Sequence, residues 1–148
     1  MNGASAMSQT KREVRIVMVD DDQDDLFLTG ICFRQASFPV DFIPLSSGEK
    51  LIEHIKDNGI GSIDVLLLDL NMPVMGGLET LEALQEYPHF DELNVFIFST
   101  SSAESDRQAC LAAGAKGYLL KPSGLTQMRD FVEAVAECVD PEKLSLAS

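Results

Sequence analysis

Five short runs of apolar, mostly β-branched or aromatic residues punctuate this chain: Val14–Val19, Val40–Leu45, Val65–Leu68, Val95–Phe98 and Tyr118–Leu120. Longer stretches of helical character separate them. The last is the clearest, with Met128, Phe131, Val132, Val135 and Val139 at i, i+3, i+4, i+7 spacing. Leu78, Leu81 and Leu84 repeat that spacing more weakly, and Leu28, Ile31, Cys32 and Gln35 place a helix after the first run. Strand and helix alternating five times imply a parallel sheet covered by helices on both faces. The runs starting at 14, 65 and 95 are apolar throughout, as strands buried on both faces are. The run starting at 40 contains Asp41 and Pro44, and proline has no N–H to give a central ladder, so this strand belongs at an edge.

An α/β, flavodoxin-like, doubly wound (βα)5 fold meets these conditions, with a five-stranded parallel sheet in the order 2-1-3-4-5. The length of 148 residues suits one domain, expected over 13–139, with a polar leader at 1–12 and a short tail at 140–148. The formal net charge of −13 speaks against a nucleic-acid surface and against adsorption to anionic membrane; it favours a cation or a basic partner face. No apolar run approaches the roughly 18 residues of a membrane span. The start of the chain lacks the apolar core of a secretory signal. Cys32, Cys110 and Cys138 are odd in number and lie far apart, outside any zinc spacing. The expectation is a cytoplasmic protein with reduced thiols.

Ligands of such folds bind beyond the carboxyl ends of the strands. The first run ends in Asp20-Asp21, the third in Asp69, the fourth in Ser99-Thr100 and the fifth in Lys121-Pro122. Taken singly, each is an ordinary cap or turn. Together they deliver three carboxylates, a hydroxyl and an ammonium to one rim. Converging carboxylates make a hard-oxygen site suited to Mg²⁺. One of them can then act as nucleophile toward a phosphoryl group, whose oxygens the lysine and hydroxyl hold. The crowding of Asp20, Asp21, Asp22, Asp24 and Asp25 into six positions gains a reason: the first two serve the metal, and the others surround the next helix start.

The segments "VMVDDD", "LLLDLNMPVMGG", "FIFSTSS" and "GYLLKP", in that order, resemble the receiver domain of bacterial two-component response regulators over residues 14–139. The resemblance implies that Asp69 is the phosphoacceptor, supplied by a histidine kinase. It implies that Asp21 binds Mg²⁺ directly, Asp20 through water, and the Asn71 carbonyl as a further ligand. Ser99 resembles the switch hydroxyl, with Thr100 as its rival, Tyr118 the switch aromatic and Lys121 the phosphate-binding lysine. The Lys121–Pro122 bond is a candidate cis peptide. The roomy connections "KDNGIGSID" and "EYPHFDELN" and the extended acidic run look most like stand-alone receivers that serve phytochrome-type or hybrid kinases. Few residues follow the fifth helix, so the expectation is a single-domain regulator. It would act through a face made of the fourth helix, expected to contain Ala109, Ala112, Ala113 and Gly114, the fifth strand and the fifth helix, on a downstream target, a phosphotransfer protein or a second copy of itself. Two alternatives stand beside this. One is a degenerate receiver that only binds partners. The other is an aspartyl-nucleophile phosphohydrolase, which wants a second Asp where this chain has Asn71; beyond its own phosphorylation and dephosphorylation no enzyme activity is expected.

Overall fold

The computed structural model describes residues 13–137. Its strands are β1 (Val14–Val19), β2 (Val40–Leu45), β3 (Val65–Asp69), β4 (Asn94–Ser99) and β5 (Gly117–Leu120). They form one parallel sheet in the order β2-β1-β3-β4-β5. Each strand is followed by a helix: α1 (Gln23–Arg34), α2 (Gly48–Asn58), α3 (Gly77–Leu84), α4 (Glu104–Ala112) and α5 (Leu125–Glu137). Among the described residues strand β2 pairs only with β1, so Pro44 sits on an edge as its chemistry requires.

Successive side chains of a strand leave on opposite faces, and here the two sets build two cores. Val14, Ile16 and Met18 of β1, Val65 and Leu67 of β3, and Phe96 and Phe98 of β4 pack with Leu26 and Phe33 of α1 and with Phe131, Val132 and Val135 of α5. Val17, Val19, Leu66, Leu68, Val95 and Ile97 pack with Leu51 and Ile55 of α2, Leu81 and Leu84 of α3, and Cys110 of α4. Continuing the alternation past each strand end puts Asp20, Asp69 and Lys121 on the α1–α5 side. Ser99 and Tyr118 fall on the side of α2, α3 and α4.

Three expectations need correction. The buried stripe of α1 is Leu26, Thr29, Gly30 and Phe33, together with Cys32; Leu28 is 52 % exposed and Gln35 lies past the last helical residue. The true stripe contains a threonine and a glycine, so hydrophobicity alone missed it. Gly30 is there because a Cβ at that position meets the Phe42 ring at 3.1 Å. Helix α4 stops at Ala112, before Ala113 and Gly114, and buries only Cys110 of its own residues. Finally, the Lys121–Pro122 bond is trans, like every described peptide bond. Trans is the lower-energy isomer even before proline, and the lysine reaches its partners from it. Val139, Cys138, the leader at 1–12 and the tail at 140–148 lie outside the described residues.

Candidate functional site

Strands β1 and β3 end side by side at the centre of the sheet, so their terminal carboxylates meet. Asp20 is fully buried and Asp69 is 3 % exposed. Carboxylate oxygens of Asp20, Asp21 and Asp69 all lie within 4.8 Å of one another. Asp20 Oδ1 accepts the Asp22 N–H at 2.9 Å, and Asp69 Oδ1 accepts the Asn71 N–H at 3.3 Å. From the end of β5, Lys121 Nζ donates to Asp20 Oδ2 at 3.1 Å and to Asp69 Oδ2 at 3.3 Å. A third carboxylate, Asp25 of α1, accepts from the same ammonium at 3.2 Å. The ammonium also stands 5.3 Å from the centre of the Phe98 ring, within reach of a cation–π attraction.

Removing two carboxylates from water is costly, and it shows in their proton affinity. Burial pushes Asp20 up to about 7; the Asp22 N–H opposes the rise and the Asp69 charge adds to it. Burial raises Asp69 as well, against the pull of Lys121. Burial alone lowers the lysine, but the charges of Asp69 and Asp20 more than reverse this and hold it above the usual range, so it stays an ammonium. The donor set fits a hard divalent cation. It is all oxygen and anionic, and Asp21 is exposed, leaving an open side for the waters that octahedral Mg²⁺ retains.

Local geometry keeps the loop after β3 tight. The Gly77 N–H donates to the Leu70 carbonyl at 2.9 Å. A Cβ on Gly77 would stand 2.4 Å from the Asp69 carbonyl oxygen, so only glycine lets α3 begin against the backbone at the end of β3. In the same loop the Met75 N–H returns to the Pro73 carbonyl at 2.8 Å, and the intervening Val74 takes φ +68° while 89 % exposed.

On the other face of the sheet, Ser99 is fully buried at the end of β4. Its Oγ accepts the Ser101 N–H at 3.0 Å and lies 3.4 Å from Asn71 Nδ2. The Tyr118 hydroxyl donates to the Ser101 carbonyl at 2.9 Å. The Ser101 hydroxyl donates to Asp106 of α4 at 2.7 Å. A hydrogen-bonded chain thus runs from beside Asp69 to α4 and β5. Thr100, the rival hydroxyl, is exposed and lines a cavity of about 330 Å³ on the α1–α5 side together with Lys121 and Pro122.

The structure therefore brings together Asp20, Asp21, Asp69 and Lys121, sets Asn71 and Ser99 beside them, and places Thr100 in the cavity it lines with Lys121. Sequence reasoning missed Asp25 and Ser101. Asp25 had been accounted for by the helix start alone, and a serine among serines carries no signal. The profile of the response regulator receiver domain matches residues 16–133. The chain belongs to that family. Its receiver domain is 32 % identical over 121 residues to the transcriptional regulatory protein PrrA of Mycobacterium tuberculosis, covering 82 % of this chain and 49 % of that protein. The chain thus spans about half the length of that relative. The receiver fold superposes on the Mn²⁺-bound form of response regulator Rcp1 with a TM-score of 0.72, 24 % identity, and coverage of 84 % of this chain and 92 % of the other. The phosphorylated cyanobacterial phytochrome response regulator RcpA gives a TM-score of 0.76 at 23 % identity, with coverage of 93 % and 98 %. Receiver domains are signalling modules of two-component systems, phosphorylated by histidine kinases. Among the described residues no helix is long and apolar enough to cross a membrane.

Proposed function

We propose that this receiver domain accepts a phosphoryl group on Asp69 and reports it through Ser99 and Tyr118 to the face formed by α4, β5 and α5. The observation that carries the reading is the buried Asp69 carboxylate sharing one ammonium with Asp20, inside a triad of carboxylates whose oxygens lie within 4.8 Å. An Asp69 oxygen attacks phosphorus, the bond from phosphorus to the donor histidine nitrogen breaks, and the electron pair leaves with the imidazole. Lys121 then holds a phosphoryl oxygen, and the Ser99 hydroxyl donates to another.

Asp20, Asp21, Asp69 and the carbonyl of Asn71 are the residues that would hold Mg²⁺. When bound, it supplies positive charge that offsets the clustered carboxylates and the incoming phosphoryl oxygens. The phosphoryl group adds about −1.5 to −2 charge beside Ser99. As Ser99 turns toward it, Tyr118 and α4 adjust, and the α4–β5–α5 surface changes for a downstream protein, a phosphotransfer partner or a second copy. A phytochrome-type or hybrid kinase is the proposed donor class.

The test is labelling with acetyl phosphate or a histidine kinase, with and without Mg²⁺. Wild type should take an alkali-labile label only with the metal. Asp69→Asn, nearly isosteric and a far poorer nucleophile, should stay folded and unlabelled; a labelled Asp69→Asn refutes the assignment.

A further inference from the structure

Lys121 has three ammonium donors and three carboxylate partners, of which Asp20 and Asp69 belong to the triad and Asp25 does not. Asp25 sits in the first turn of α1, where a carboxylate ordinarily serves the helix start. That task is already performed, because Asp22 Oδ1 accepts the N–H groups of both Asp24 and Asp25, at 2.9 and 3.3 Å. The Asp25 side chain instead spans 96 residues of sequence to reach the end of β5.

We propose that Asp25 is a positioning residue that anchors the Lys121 ammonium from the α1 side. Asp20 and Asp69 both change their bonding when a cation and a phosphoryl group arrive; Asp25 keeps its own. It fixes where the lysine stands while the other two partners are drawn off, so the ammonium meets the phosphoryl oxygens without a search. The Asp25 carboxylate is 40 % exposed and the lysine 19 %, so the pair is partly shielded from water and stronger than an exposed one.

The proposal rests on Asp69 as the acceptor, and two readouts separate the two claims. The first uses the ¹⁵N-labelled protein at saturating Mg²⁺, where the cation draws off Asp20 and Asp69, and follows the Lys121 ammonium resonance, assigned by its loss in Lys121→Arg. Wild type and Asp24→Ala, which removes the same charge from an exposed position in the same turn, should show a slowly exchanging signal. Asp25→Ala should lose it and Asp25→Glu should retain it. The second readout is the rate of acetyl phosphate labelling at saturating Mg²⁺. Asp25→Ala should label about fivefold more slowly, the effect of one partly shielded ion pair, with Asp24→Ala at the wild-type rate and Asp25→Glu restored. A retained resonance, an unchanged rate, or an equal loss in Asp24→Ala overturns the anchor while wild type still takes label. A wild type that takes no label removes the reading of Asp69, and the anchor's role in transfer with it.

Discussion

At the scale of single residues, the site is a problem of buried charge, and Asp20 is where the cost is greatest. Its proton affinity is raised from the ordinary 3.8 to about 7, so between those values the folded chain binds more protons than the unfolded one. Stability of the metal-free protein therefore falls as pH rises through that window. Asp69 shifts in the same direction, while Lys121 titrates far above it. Melting in chelator should give a higher Tm near pH 5 than near pH 8, with the difference reduced in Asp20→Asn; a higher Tm at pH 8 contradicts the electrostatics described here. Gly77 poses the opposite demand, for space. Gly77→Ala forces a methyl into the Asp69 carbonyl, and denaturant unfolding should show a loss of about 1–3 kcal/mol, as overpacking does. An unchanged midpoint would mean that α3 can shift away without cost.

At the scale of elements, the strands were legible because their period and burial agree. β1 and β2 begin and end where the apolar runs do, and β3, β4 and β5 extend theirs by one or two residues. The carboxylates, the hydroxyl and the lysine were legible because a parallel sheet delivers its strand ends to one rim. Helix α1 stands where it was expected, but its inward face was misread because it holds Thr29 and Gly30, the latter set against the Phe42 ring. Asp25 was invisible as a lysine partner because its contact bridges elements far apart in sequence. Helix α4 buries only Cys110 and is tied at its start by Ser101 and Asp106, so it is the helix with least to lose by moving. Beryllofluoride, a phosphoryl mimic, should shift the amide resonances of residues 103–121 in wild type. Ser99→Ala should bind the mimic yet show a much smaller response there. A full response in Ser99→Ala would pass the coupling role to another group, with Thr100 next in line.

At the scale of the whole molecule, a net charge of −13 concentrates part of its repulsion on one rim of the sheet. A cation bound there by the native state alone stabilises it, by about 2.7 kcal/mol at a hundredfold excess over Kd. Millimolar Mg²⁺ should raise the Tm of wild type and leave Asp21→Ala nearly unmoved; an equal rise in both would place the cation elsewhere. On the proposed reading, one aspartate among a crowd of acidic and hydroxyl side chains takes the phosphoryl group. Peptide mapping by mass spectrometry tests it most directly, after labelling with acetyl phosphate and brief digestion at mildly acidic pH, away from the strong acid and alkali that hydrolyse an acyl phosphate. The account predicts the modification on Asp69 alone, in a peptide that loses it to hydroxylamine. A modification on Asp20, Asp21, Ser99 or Thr100, with Asp69 unmodified, would contradict it.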